Sequence, residues 1–280
     1  MTVAAHTPGS GRVTRAVVFA RGAGSRMRAG DDDAALTTEQ RAAAGAGHKA
    51  LMPIGGRPFL DFVITNLAAA GIDDVALVVA PDHQAMRDAY PGNRAPGGAR
   101  LTWVVQADPK GTADALLAAK AWAGDASFLA MNGDNVYPVE ALNALCGLDG
   151  PGAAGFDRAD LVSSSNIPAD RIAAFALFET DVRGDLVAVV EKPGADAVAR
   201  AGAHAFVSMN LWRFDARIFD ACRDVPASPR GEFELPSAVM LAAARGMRCT
   251  IVPSRGPVLD LSRRGDVAEV SRRLMGETSA

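Results

Sequence analysis

Ala16-Val-Val-Phe-Ala20-Arg-Gly22-Ala-Gly24-Ser-Arg26-Met27 is an apolar run that ends in a glycine-rich turn, then a hydroxyl and a guanidinium. Residues 16–20 suit a buried strand. Gly22 and Gly24 let the backbone pass close to a ligand, because no Cβ stands in the way. Amide N–H groups in such a loop converge on an anion. Ser25 adds a hydroxyl, and Arg26 a planar, permanently charged fork suited to phosphate. The turn therefore suits a polyphosphate, although a plain tight turn after a strand is the alternative. It is not a P-loop, since no Gly-Lys-Ser/Thr follows. It is a poor dinucleotide fingerprint, since a third glycine is missing and no helix is expected to open there.

Outward from this segment, β-rich runs alternate with helical patterns. Strands are expected at 75–80, 101–105, 128–131, 161–163, 175–180, 186–190, 206–214 and 248–252. Helices are expected at 59–70, 82–89, 111–122 and 139–146. The alternation predicts an α/β fold: a single Rossmann-like domain over 15–275 with a mixed, mostly parallel central sheet. After residue 160 strands follow one another closely, which predicts a smaller inserted β region. Residues 1–14 and 276–280 read as flexible ends. Ligands of such sheets sit outside the carboxyl ends of the strands. The stretch 29–47 carries Asp31-Asp32-Asp33 and many alanines, and it reads as an acidic loop followed by a short helix at 38–44. It is either a solvated insertion or a lid.

The chain has 280 residues, 49% of them hydrophobic and 22% charged, which is enough apolar material for a sizeable core. A net charge of −3 gives no basic field for nucleic acid, so any phosphate site must be locally basic. Cys146, Cys222 and Cys249 show neither disulfide nor zinc spacing and read as buried apolar groups in a reducing compartment. The first residues lack the apolar core of a signal peptide, and no apolar run reaches the ~20 residues needed to span a bilayer. These readings predict a cytoplasmic protein without a membrane partner. A homo-oligomer is compatible with them.

Further motifs carry chemistry. Lys49 precedes a turn-rich segment and could neutralise phosphate, although a lone lysine is usually solvated. Gln106 follows a strand, and its amide offers both a donor and an acceptor to the edge of a base. Gly111 and Thr112 stand at a helix start. Asn132-Gly-Asp134-Asn135 places a carboxylate after an apolar strand, a position suited to a hard cation, or an Asn-Gly turn with an aspartate cap. Glu191-Lys192-Pro193 and Leu259-Asp260 also follow strands.

In order and spacing these segments resemble the sugar-1-phosphate nucleotidyltransferases, the NDP-sugar pyrophosphorylases. The resemblance runs over roughly residues 15 to 270 and is nearest to the thymidylyl- and uridylyltransferases of glucose 1-phosphate. Residues 20–27 stand for Gly-Gly-x-Gly-Thr-Arg-Leu/Met. His48-Lys49…Pro53…Gly56-Arg-Pro58 resembles Pro-Lys…Pro…Gly-Lys-Pro. Gln106…Gly111-Thr-Ala, Gly133-Asp134-Asn135, Glu191-Lys192-Pro193, Arg230-Gly-Glu232-Phe-Glu234 and Leu259-Asp260 follow in the family order. Arg21 replaces a glycine, Ser25 a threonine and His48 a proline. Ser208-Met-Asn210-Leu-Trp212 stands where the family has Asn-x-Gly-x-Tyr, on the sugar side.

The resemblance implies a GT-A-like fold and attack of a sugar 1-phosphate on the α-phosphorus of an NTP, with release of pyrophosphate. Such a transfer needs positioning and charge stabilisation, not a protein nucleophile. Two polyanions meeting in an acidic protein require Mg²⁺ and local cations. The resemblance places Asp134 and Asp260 at the metal and Arg26 and Lys49 at the nucleotide phosphates. It places Ala20, Gly22, Gly24, Ser25, Gln106, Gly111 and Thr112 at the nucleotide. Asn132, Glu191, Lys192 and Asn210 fall to the sugar phosphate. Glutamine at position 106 implies a pyrimidine, dTTP or UTP. Two alternatives are a non-catalytic nucleotide-sugar-binding protein of the same fold and an enzyme acting on a phosphorylated cyclitol or polyol.

Overall fold

The structure, a computed structural model, describes residues 11–22, 24–29 and 35–276. Its centre is a nine-stranded mixed sheet. Arg15–Phe19 lies in the middle and pairs in parallel with Asp74–Val79 on one side and Phe128–Asn132 on the other. Asp74–Val79 continues in parallel to Arg100–Val105. Beyond Phe128–Asn132, the long strand Phe206–Phe214 runs antiparallel and leads to Leu177–Thr180 and Leu186–Val190. Phe206–Phe214 also pairs with Gly152–Asp157, which pairs in parallel with Thr250–Ser254. The β region expected after residue 160 is thus present, and its strands extend the same sheet.

Side chains alternate across the central strands and build one core on each face. Ala16, Val18, Val75 and Leu77 pack with Leu60, Ile64, Leu142 and Val270. Those partners come from the helices Phe59–Ala69, Val139–Cys146 and Asp266–Leu274. Val17, Ala76 and Val78 pack with Leu116, Phe219 and Val239 on the opposite side. These belong to Thr112–Ala118, Ile218–Asp224 and Leu235–Ala244. Burial on both faces explains why these strands read as unbroken apolar runs.

Three local expectations change. Residues 161–163 lie in the helix Arg158–Ser164, because the Asp157 side chain caps the amide of Asp160. The expected helix 111–122 is two short helices, Thr112–Ala118 and Lys120–Ala123. A single helical turn, Ser25–Arg28, does open after the glycine turn. The short helix expected at 38–44 forms as Thr38–Ala46, started by a capping box between Thr37 and Gln40 and ended by Gly47 at φ +74°. Of the stretch 29–47, residues 30–34, with Asp31, Asp32 and Asp33, lie outside the described residues, as do Ala23 and most of the ends expected to be flexible, residues 1–10 and 277–280.

Candidate active site

The carboxyl ends of the central strands open into a cavity of about 590 Å³. Its walls take in Ala20, Gly22, Lys49, Gln106, Gly111, Thr112, Asn132, Asp134, Glu191 and Asn210, with Gln106 following the strand at one edge of the sheet and Glu191 following the strand at the other. These ten come from segments as far apart as residues 20 and 210, so the sheet topology assembles them. Gly24, Ser25, Arg26, Lys192 and Asp260 are not on the wall.

The end that contains Gln106 is held by hydrogen bonds within the protein. The Arg21 guanidinium donates to the carbonyls of Gln106 (2.9 Å) and Ala107 (3.0 Å). The amide N–H of Phe233 donates to the Lys110 carbonyl, and Ala113 N–H donates back to Phe233 O, at 2.7 and 2.9 Å. Gly111 sits between these two bonds at φ +107°, where a Cβ would overlap the Phe233 carbonyl. Only glycine fits there. The Thr112 hydroxyl accepts from the Leu235 amide at 2.9 Å.

The expectation that the Gln106 side chain offers a donor and an acceptor is corrected. Its Nε2 donates both to the Gly111 carbonyl at 3.0 Å and to the Asp114 carboxylate at 2.7 Å. Both neighbours accept only, so the amide cannot turn over without facing oxygen with oxygen. Gln106 therefore keeps only its oxygen, an acceptor, uncommitted among the described residues.

In the glycine turn, Gly24 packs against Gly47, where any Cβ would meet the Gly47 backbone. This contact sets residues 24–28 beside His48 and Lys49. Arg26 is exposed and off the wall, while Arg28 lines it together with His48. The Lys49 ammonium lies 3.1 Å from the Asp134 carboxylate, with both side chains partly buried.

Asp260 is close to Asp134 through the backbone. Leu259–Asp260 pairs antiparallel with Asn135–Val136, and Leu261 N–H donates to Asp134 O at 2.9 Å. The Asp260 carboxylate is buried, takes a hydrogen bond from Arg171 at 3.0 Å, and receives Asn135 Nδ2 at 3.4 Å. Burial, and next the charge of Asp134, push its pKa up to about 6. Among the described residues no group of three or more His, Cys, Asp or Glu forms a metal cage. Two neighbouring hard carboxylates, one of them reaching the cavity, do fit Mg²⁺. That ion uses one or two carboxylates and fills its other positions with water and phosphate.

At the far end Glu191 is held above the usual carboxylate range, first by burial and then by the negative charge of Glu234. Lys192 and Asn210 have left-handed backbones, at φ +46° and +55°. Of the segment 208–212 only Asn210 reaches the wall; Trp212 is buried against Phe178 and Phe214. Arg230, Glu232 and Glu234 also line the cavity, with Arg230 paired to Glu234 at 2.5 Å. In the sequence that motif only follows the family order, with no role attached to it. Arg21 was visible in the sequence only as a departure from a glycine, and Asp114 and Arg28 carried no signal of their own.

No helix among the described residues is long and apolar enough to cross a membrane. A low-salt glycan biosynthesis nucleotidyltransferase of Haloferax volcanii is 23% identical over 83% of this chain, which spans 62% of that relative's length. A UTP–glucose-1-phosphate uridylyltransferase of the same organism is 27% identical over 95% of this chain and 98% of its own. The fold is shared with a UDP-glucose pyrophosphorylase solved with UDP-glucose: TM-score 0.70, 15% identity, 95% of this chain and 100% of that one. Residues 16–256 match the family model described as nucleotidyl transferase, in keeping with the motifs, and the chain belongs to that family.

Proposed function

We propose that the domain at 15–275 joins an NTP to a sugar 1-phosphate, with UTP or dTTP as donor and Mg²⁺ as cofactor, and releases pyrophosphate. The observation that carries this reading is the Lys49–Asp134 pair on the wall of a cavity that also takes in the hydrogen-bonded Gln106 segment and the carboxylate of Glu191. A sugar phosphate dianion is already a nucleophile at neutral pH, so in-line attack on the α-phosphorus needs alignment and charge neutralisation.

Lys49 and Arg28 are cations on the cavity wall and would neutralise the triphosphate. Arg26 would join them if the glycine turn closes. The Gln106 oxygen would accept the imide N–H that uracil and thymine share; cytosine presents a bare ring nitrogen there. Glu191 would accept from sugar hydroxyls and Lys192 would meet the sugar phosphate. Asp134, with Asp260 behind it, would hold Mg²⁺, which would supply charge neutralisation at the reacting phosphates.

Pyrophosphate release measured over five NTPs and a panel of phosphorylated acceptors tests this. Turnover with UTP or dTTP and a hexose 1-phosphate is expected. Turnover only with a cyclitol or polyol phosphate would move the acceptor class. Binding without release would make the chain a non-catalytic relative.

A further inference from the structure

We infer that Asn210 is a specificity-determining residue whose side-chain amide hydrogen-bonds a polar ring substituent of the phosphorylated acceptor. The inference rests on the acceptor reading above. The strand Phe206–Phe214 does not run straight. Its pairing with Gly152–Asp157 slips between Ser208 and Trp212, so residues 209–211 bulge out of the ladder. A bulge leaves backbone groups unpaired, and here two side chains take them up. The buried Tyr137 hydroxyl donates to the Met209 carbonyl at 2.6 Å, and the Asn210 amide N–H donates to Ser208 Oγ at 3.4 Å.

At the apex Asn210 takes φ +55°. Glycine reaches that region freely, and asparagine is among the few side-chain-bearing residues that tolerate it. The family places glycine at this point. The chain therefore keeps a glycine-like backbone while adding an amide. Leu211 pairs with Met131, so Asn210 comes just before the paired residues, where Phe128–Asn132 runs out toward Asp134. Its side chain lines the cavity with Glu191 and Asn132 and makes no hydrogen bond among the described residues. A partly buried amide with both donor and acceptor unused, on a pinned and strained backbone, is placed to meet a ligand.

The decisive variant is Asn210→Gly, which holds the same backbone without strain. Against hexose 1-phosphates and their deoxy analogues, it should raise the acceptor KM ~10-fold and narrow the spread between hydroxylated and deoxy acceptors. The NTP KM should stay as in the wild type, and so should Tm, because the relief of φ +55° is offset by the greater freedom of glycine in the unfolded chain. Unchanged acceptor KM and ranking would overturn the inference. So would a loss seen in Asn210→Ala but not in Asn210→Gly, because the backbone rather than the amide would then matter. If the wild type releases no pyrophosphate with any pair, nucleotidyl transfer fails as a reading. Calorimetric titration of glucose 1-phosphate and N-acetylglucosamine 1-phosphate then decides: weaker binding to Asn210→Gly supports the role, and equal binding or none overturns it.

Discussion

The two ends of the cavity are built on opposite plans. At the Gln106 end nearly every polar group is already engaged: Arg21 with two carbonyls, Thr112 with Leu235, and both N–H groups of Gln106 with Gly111 and Asp114. What is left uncommitted on the Gln106 side chain is one oxygen, held on a hydrogen-bonded frame. At the Asn210 end, the backbone is strained at two non-glycine residues and the Asn210 amide is unpaired. A frame that has used its own hydrogen bonds accepts one shape. A wall with unused ones can be retuned by single side chains, so acceptor choice is expected to vary among relatives more than base choice.

The largest effect should come from the centre that both ends share. Lys49→Ala or Asp134→Ala should lower kcat/KM by ~10²–10³, the usual loss when a charge-stabilising group is removed from a transition state. Pyrophosphate release under saturating acceptor measures it. A loss of only a few-fold would mean that the reacting charge lies elsewhere and that the comparison has its midpoint in the wrong place.

Rigidity of the Gln106 end is tested by Gly111→Ala. The added methyl must overlap the Phe233 carbonyl and hold φ +107°, so destabilisation by roughly 2 kcal/mol is expected, with a raised NTP KM. Thermal melting and NTP titration read both. Asn210→Gly, which exchanges the same two classes of residue in the opposite direction, should leave Tm unchanged. Equal melting behaviour in the two variants would erase the contrast.

Asp114→Ala removes one of the two acceptors that hold the Gln106 amide in place and leaves the Gly111 carbonyl alone to oppose its turning over. Turned over, the amide offers a donor to cytosine, and the preference for UTP over CTP should fall ~10-fold, within the range one hydrogen bond supplies. Relative kcat/KM for the two nucleotides shows it. An unchanged ratio would place base selection on backbone groups alone.

The smallest effect lies away from both ends, in the helix Asp266–Leu274. Arg272 and Arg273 hold the Glu269 pKa down at about 2, from an ordinary 4.5. A depressed carboxylate stabilises the fold above its unfolded value, and that contribution disappears as pH falls from about 4.5 to about 2. The side chains are partly exposed, so screening limits Glu269→Gln to a few tenths of a kcal/mol at neutral pH. Denaturant melts at pH 7 and pH 3 should show the difference shrinking.

Strands and helices were legible where apolar runs were long. Arg15–Phe19, Asp74–Val79 and Leu186–Val190 lie within a residue of their expected bounds. Gly152–Asp157 was not foreseen, because its glycines and alanines have low strand preference. Packing explains them: a Cβ at Gly152 would meet Leu148 and the Thr250 carbonyl, and one at Gly155 would meet Ile251 and Phe206. Two apolar residues, Leu161 and Val162, were too few to tell strand from helix, and one cap decided for helix.

Period and composition by themselves determined the α/β class, the two-sided burial of the central strands and the strand-end positions of Gln106, Asp134 and Glu191. Those are local properties, set by which residues alternate and where a run stops. The tertiary structure alone decided which atoms of those residues remain free. It turned Gln106 into an acceptor by placing Gly111 O and Asp114 around it, and it set Asp260 behind Asp134 with Arg171 as partner. It also brought Asn210 to the cavity wall while burying Trp212 two residues on. Hydrogen-bond capacity is a property of a side chain, but whether it is left for a ligand depends on neighbours that only folding brings close, as Arg171 is brought to Asp260 across 89 residues.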